Sequence, residues 1–290
     1  MKSFSLNIRG HLCQVDKPLI MGILNVTPDS FYSGSRTPAD DRAAILDRAS
    51  RLIAEGADII DIGGYSSRLG AAEVTPEEEG RRVRAGIEAV RSLDPDILIS
   101  IDTFRADVAR SAIEDWGADI INDISAGMLD REMIPVVARL GVPYIIMHTR
   151  GTPSTMSSLT DYPSGVVAGV ASELHERILD CHRAGIADLI VDPGFGFAKT
   201  AEQNYRLMAS LRDLSLMLDD LPMLVGISRK SMIYKPLGIT PADSLPGTDA
   251  LNTLALIQGA AILRVHDVAA ASQVLDVVSM FRAAEKTPIS

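Results

Sequence analysis

The strongest constraint in this chain is an alternation. Short apolar runs, each closing on a polar or charged residue, are separated by stretches with the 3.6-residue period of a helix. After Pro18 the runs are Leu19 to Leu24, Ile59 to Ile62, Ile97 to Ile101, Ile120-Ile121, Val142 to Met147, Leu189 to Val191, Met223 to Ile227 and Ala261 to Val265. They are mostly apolar, as in strands buried on both faces of a parallel sheet. Helical period fills Arg42 to Ala54, Pro76 to Leu93, Ala106 to Trp116, Val166 to Ala184, Glu202 to Leu218 and Thr248 to Gly259. Thr75-Pro76-Glu77-Glu78-Glu79 reads as a helix start: a capping hydroxyl, proline in the first turn and carboxylates at the positive dipole end. Four helix ends carry glycine (Glu55-Gly56-Ala57, Trp116-Gly117-Ala118, Leu140-Gly141-Val142, Gln258-Gly259-Ala260), which suits the left-handed residue that stops a helix.

Strict alternation of strand and helix implies a parallel sheet, and eight units closing on themselves imply a (β/α)8 TIM barrel. The 290 residues fit one such domain, 1–290, since about 250 is typical. A doubly wound open sheet is the alternative, but its glycine-rich fingerprint after the first strand is missing. Ahead of the barrel (18–285), residues 3 to about 15 alternate loosely around Arg9-Gly10. That pattern predicts a short N-terminal β-hairpin, within 1–17, lying as a lid on the closed end.

Several function classes drop out. No run of about 18 uninterrupted apolar residues occurs, so no membrane span is expected, and MKSFSLNIRGHLCQ lacks the apolar centre of a signal peptide. Cys13 and Cys181 show no metal-ligand spacing and read as reduced thiols of a cytoplasmic protein. A net charge of −10 argues against nucleic acid as a partner, so an anionic ligand needs a local cluster of cations. There is no Cys/His zinc set, no Gly-x-Ser-x-Gly turn and no Walker loop.

In a barrel, chemistry collects where the strands end at their C-terminal edge. Those ends carry Asn25, Asp61, Asp102-Thr103, Asn122-Asp123, His148, Asp192, Ser228-Arg229-Lys230-Ser231 and Arg264-Val265-His266-Asp267. The seventh, in LPMLVGISRKS, turns without a spacer from buried strand to two cations and two hydroxyls, a pocket for an anion or a polar ring. Taken singly, each of these residues is more readily a helix cap or a solvated side chain. Eight polar ends converging on one rim are different, because a ring of caps does not need two aspartates, an asparagine and a lysine near the axis. Asp and Asn suit a flat heterocycle with adjacent ring N–H and amino groups. Arg68, Lys230, Arg264 and His266 suit a phosphate or pyrophosphate, and Asn25 offers a neutral oxygen to a magnesium ion that keeps most of its shell on water and phosphate. The expected ligand is a heterocycle carrying a pyrophosphate leaving group.

The motifs MGILNVTPDSF (Met21 to Phe31), DIGGYSSRLGA (Asp61 to Ala71), IINDISAG (Ile120 to Gly127), DPGFGF (Asp192 to Phe197), GISRKSMI (Gly226 to Ile233) and RVHDV (Arg264 to Val268) resemble the dihydropteroate synthases, in order and over nearly the whole chain. The resemblance implies a (β/α)8 barrel of folate synthesis, usually a homodimer. Its reaction joins 4-aminobenzoate to hydroxymethyl-dihydropterin pyrophosphate, releasing pyrophosphate with Mg2+ present. It further implies that Asp192 holds the ring N–H and amino group of the pterin, with Asn122 and Asp102 on its other edge. Lys230 would serve the ring carbonyl side, and Arg264 would lie across the ring and reach the phosphates. Asn25 and His266 would complete the anion and metal site, with Ser67 beside it, while Ser231, Arg68 and Phe31 would border 4-aminobenzoate. The implied reaction is dissociative: pyrophosphate leaves first and the aromatic amine captures the cation. Three positions depart from the usual pattern, Tyr32 to Ser35, Tyr65 and Leu69, all in loops. The rival readings are a pterin-binding methyltransferase barrel, a Schiff-base aldolase using Lys230, and a non-catalytic pterin-binding protein.

Overall fold

The computed structural model describes residues 2–27, 41–66, 73–152 and 154–285. The chain opens with β1 (Phe4–Ile8) and β2 (His11–Val15), an antiparallel hairpin turned through Arg9 and Gly10 at φ 52 and 80°. Eight parallel strands follow: β3 (Leu19–Asn25), β4 (Ile59–Gly63), β5 (Leu98–Asp102), β6 (Ile120–Asp123), β7 (Tyr144–Met147), β8 (Leu189–Asp192), β9 (Leu224–Val225) and β10 (Ile262–Val265). They pair in chain order, β10 returns beside β3, and a bridge from Val191 to Met223 joins β8 to β9. The expected barrel is what forms.

Its outer layer is α1 (Arg42–Ala54), α2 (Pro76–Leu93), α3 (Ala106–Glu114), α4 (Met133–Leu140), α5 (Val166–Ala184), α6 (Ala201–Ala209), α7 (Leu211–Met217), α8 (Ser231–Leu237), α9 (Leu245–Ile257) and α10 (Val268–Glu285). Thr75 caps α2 through its side chain as expected, and Gly56, Gly117, Gly141 and Gly259 all adopt positive φ. The sequence pattern is corrected in a few places. Glu202 to Leu218 is broken at Ser210 into α6 and α7, and α4, α8 and α10 were not singled out by it. The seventh strand is short, Leu224 and Val225 with a bridge at Met223, and the backbone turns beyond it where the Lys230 N–H reaches the Ile227 carbonyl at 3.1 Å.

Two apolar layers follow from the pleat, which sends alternate strand residues outward and inward. Outward residues such as Leu24, Ile62, Ile101 and Ile121 pack under the helices. Inward residues at the strand starts, among them Met21, Ile59, Ile120, Ile145 and Ile262, pack against Leu6, Ile8 and Val15 of the hairpin. The hairpin therefore packs across the N-terminal end of the barrel. Polar ties hold it: the Asn7 N–H to the Asp188 carboxylate at 2.5 Å, and the Arg9 guanidinium to Asp119 at 2.7 Å. At the opposite end the register aligns Asn25 with Gly63, Gly63 with Asp102 and Asp102 with Asn122, one polar row across four strands. Among the described residues no helix is long and apolar enough to cross a membrane.

Candidate active site

Above that row lies a cavity of about 1210 Å³, counted out to its open mouth. Asn25, Asp102, Asn122, Asp192, Lys230, Ser231, Arg264 and His266 all line it, so the structure brings together every described residue singled out for the site. Phe31, Ser67 and Arg68 lie outside the described residues, as do Tyr32 to Ser35 and Leu69.

Arg264, on β10, is the hub. Its Nε donates to Asp61 at 2.6 Å and its Nη2 to Asp102 at 2.7 Å. Burial works against its charge, but the two carboxylates more than offset this and hold the guanidinium firmly protonated. Asp102 responds the other way: burial pushes it up to about 7 despite Arg264, with Asp61 adding like-charge repulsion. The Asn122 amide nitrogen donates to Asp61 at 3.2 Å.

Asp192, at the end of β8, is buried and shifted above the usual carboxylate range by desolvation, which Lys230 and the Gly194 N–H, at 2.7 Å, resist. Only glycine fits at 194: φ is +69°, and a Cβ would sit 1.9 Å from the His148 carbonyl oxygen. Lys230 donates to the Phe195 carbonyl at 2.6 Å and lies 4.8 Å from the Phe197 ring centre. Burial lowers its ammonium to about 8, with Asp192 pulling back. His266 is driven down to about 3 by burial and by Arg264, so it is neutral. Ser228 Oγ lies 3.2 Å from the His266 backbone N–H and 3.0 Å from Nδ1. It accepts from the first and pairs with the second, a contact that either ring tautomer can make.

The polar strand ends are not all part of this site. Arg229 forms part of the cavity wall, but its guanidinium is bound by Asp267 at 2.8 and 2.9 Å and by the Pro241 and Ala242 carbonyls, so it ties loops together. A backbone φ of 54° at Arg229 is what separates its direction from that of Lys230. His148 is neither solvated nor in this cavity. It is buried, its Nδ1 2.9 Å from the Lys199 ammonium and its Nε2 3.1 Å from Glu173. Lys199 also donates to the Gly194 and Phe197 carbonyls, stapling the loop that follows Asp192. Asp61 was read as a strand end, but it lies fully buried inside β4, beneath the rim. One signal marks it in the sequence, a charge inside the all-apolar run Ile59-Ile60-Asp61-Ile62, which needs a partner.

The profile of pterin binding enzymes matches residues 21–266, from within β3 to just past β10. The dihydropteroate synthase of Escherichia coli is 41% identical over 280 residues, 96% of this chain and 95% of that protein. The chain belongs to the dihydropteroate synthases. The Synechocystis enzyme is 44% identical, over 89% of this chain and 88% of its own. A folic acid synthesis protein of Schizosaccharomyces pombe is 42% identical over 92% of this chain, which spans only 37% of that longer protein. Among solved structures, Yersinia pestis dihydropteroate synthase in a sulfonamide drug complex superposes with a TM-score of 0.88 at 37% identity, covering 97% of this chain and 100% of that one. The Xanthomonas albilineans enzyme with 4-aminobenzoic acid gives 0.85 at 39% identity, covering 99% and 100%. The chain is thus a transferase of folate synthesis.

Proposed function

We propose that the rim cavity condenses a dihydropterin methyl diphosphate with 4-aminobenzoate, giving dihydropteroate and pyrophosphate, and that the residues gathered there divide the work. The observation that carries this reading is the pairing, within one cavity, of acceptors (buried Asp192 and Asn122, half-buried Asp102) with two half-buried cations (Lys230, Arg264). Asp192 takes the ring N–H and amino donors. Asn122 and Asp102 face the opposite edge, and Lys230 donates on the carbonyl side. Arg264, already held between two carboxylates, is presented to the ring and the diphosphate, and His266 adds a neutral imidazole.

Stabilising the departing diphosphate is the larger part of catalysis in this reading, because preorganised donors need no rearrangement as charge develops. No strong base is required, since an aromatic amine attacks as the free amine. Ser231, and Phe31 and Arg68 by their motif positions, border the 4-aminobenzoate, and Ser67 stands beside the anion site.

A magnesium ion fits this donor set. Asn25 supplies one neutral oxygen at the end of β3, and among the described residues no group of three His, Cys, Asp or Glu is placed to hold an ion alone. That suits an ion carried largely by diphosphate and water. When bound it would neutralise charge on the diphosphate, with Asn25 as its protein ligand. A homodimer is also part of the reading, supported by exposed Leu254, Ile257, Val277, Met280 and Phe281 on the adjoining helices α9 and α10. The unpaired Cys13 and Cys181 fit a cytoplasmic enzyme. The test is pyrophosphate release from the dihydropterin diphosphate with 4-aminobenzoate and magnesium. Release that depends on the amine supports the reading, and pterin binding without release leaves a non-catalytic pterin-binding protein.

A further inference from the structure

Asp61 does not line the cavity, yet it touches two residues that do. Its Oδ2 accepts from Arg264 Nε at 2.6 Å and from Asn122 Nδ2 at 3.2 Å, and its Oδ1 lies 3.4 Å from the same Nδ2. With a guanidinium at that distance Asp61 serves as a carboxylate, which can only accept. The amide atom of Asn122 that faces it must then be the nitrogen, because an oxygen there would set lone pair against lone pair. This decides an orientation that shape alone leaves open, since the two ends of an amide are nearly the same size. Asn122 Oδ1 is turned the other way and accepts no hydrogen bond from the described protein, on a side chain that lines the cavity.

We propose that Asp61 is a positioning residue that locks the Asn122 amide with its oxygen toward the ligand, so that the site selects a heterocycle with an amino group over one with a carbonyl at the same place. This rests on the reading of Asn122 as a contact on the far edge of a pterin. The exocyclic amino group of a pterin has two hydrogens. One lies on the side of the ring N–H, where Asp192 accepts, and the other points to the opposite edge, where Asn122 Oδ1 accepts. A 2-oxo analogue turns a lone pair toward both acceptors in place of those two hydrogens, so it keeps the ring N–H contact to Asp192 but loses both amino contacts. Release of the Asn122 amide offsets one of those losses, because the side chain can then rotate and donate.

The experiment is calorimetric titration of pterin-6-carboxylate and of its 2-oxo counterpart, lumazine-6-carboxylate, against the parent protein, Asp61→Asn and Asn122→Ala. In Asp61→Asn the new side chain can still accept from Arg264, but its amide no longer dictates which end of Asn122 it meets. Pterin affinity should fall about tenfold or more while lumazine affinity holds or rises, so the ratio between the two narrows at least tenfold. A general loosening of the site would weaken both ligands together and leave the ratio alone, and that result, or no change in either, overturns the proposal. Asn122→Ala keeps the two questions apart: unchanged pterin affinity there removes Asn122 from the pterin site, whereas a loss there with an unchanged ratio in Asp61→Asn defeats the role of Asp61 alone. If Asp61→Asn does not fold, the exchanged pair Asp61→Asn with Asn122→Asp keeps one carboxylate and one amide in the same space. It should prefer pterin as the parent does, and loss of that preference also counts against the proposal.

Discussion

The two ends of the barrel hold opposite arrangements of the same groups. At the lower end one carboxylate sits between two guanidiniums: Asp119 accepts from Arg9 at 2.7 Å, from Arg91 at 2.7 Å and from the Ile99 N–H at 2.9 Å. At the upper end one guanidinium sits between two carboxylates, Arg264 between Asp61 and Asp102. The surplus charge meets different fates. Below, it rests on Arg9, whose side chain is 42% exposed and stays hydrated while the carboxylate is fully shared. Above, it falls on fully buried Asp61 and half-buried Asp102, and desolvation, with repulsion from Asp61, pushes Asp102 up to about 7. The lower cluster is complete as it stands and serves stability. The upper one retains unspent acceptors in a cavity, which is the condition for binding a donor-rich ring.

If that contrast is right, breaking the lower cluster should cost stability and little else. Asp119→Ala leaves two cations and a backbone N–H without their acceptor. It should lose about 3–5 kcal/mol in denaturant unfolding, with kcat/KM unchanged within about twofold below the transition. The upper cluster should behave conversely. Asp102 has a folded pKa above its unfolded one, so the folded state binds the proton more tightly and stability falls as pH rises from about 4 to about 7. Asp102→Asn should remove that fall, ending as stable as the parent at pH 5 and more stable, by up to about 3 kcal/mol, at pH 8, while binding pterin worse. Urea unfolding at the two pH values, read beside a pterin titration, checks both statements.

A smaller effect of opposite sign is expected at His148, whose pKa burial lowers to about 4. Its contribution is intact above about 6.5 and is lost as pH falls from there through about 4, because the unfolded chain takes the proton first. His148→Gln can still accept from Lys199 and donate to Glu173, and its melting temperature should vary less between pH 6.5 and 4.5 than that of the parent, by a few degrees. The smallest effect belongs to the outward face of the hairpin. Leu12 is 78% exposed, and Leu12→Ser should shift stability by less than about 0.5 kcal/mol.

Much of this was legible in the sequence, for identifiable reasons. Short, mostly apolar runs alternating with helical period read as strands covered on both sides, so eight of them pointed to the barrel, and the polar residues ending the runs located the rim. The match of the hairpin to the barrel floor follows from the inward alternation of Leu6 and Ile8. Direction was not legible. Arg229 and Lys230 are neighbours with the same charge, and only the positive φ at Arg229 sends one to Asp267 and the other toward the Phe195 carbonyl in the cavity. The charge of Asp61 was visible but its role was not, because its partners, Arg264 and Asn122, are 203 and 61 residues away. The helix break at Ser210 has no proline or glycine to announce it.

The most direct test of the contrast uses one ligand and one change at each end. Pterin-6-carboxylate is titrated calorimetrically into the parent, Asp192→Asn and Asp119→Ala, each shown to be folded at the working temperature. Asp192→Asn sets an amide donor against a ring donor, and since a charge-assisted hydrogen bond is worth about 1.5–3 kcal/mol, affinity should fall at least about tenfold. Asp119→Ala, the less stable protein of the two, should bind as the parent does. Equal affinity in the parent and Asp192→Asn, or a comparable loss in Asp119→Ala, would contradict the division of the barrel into a binding end and a stabilising end.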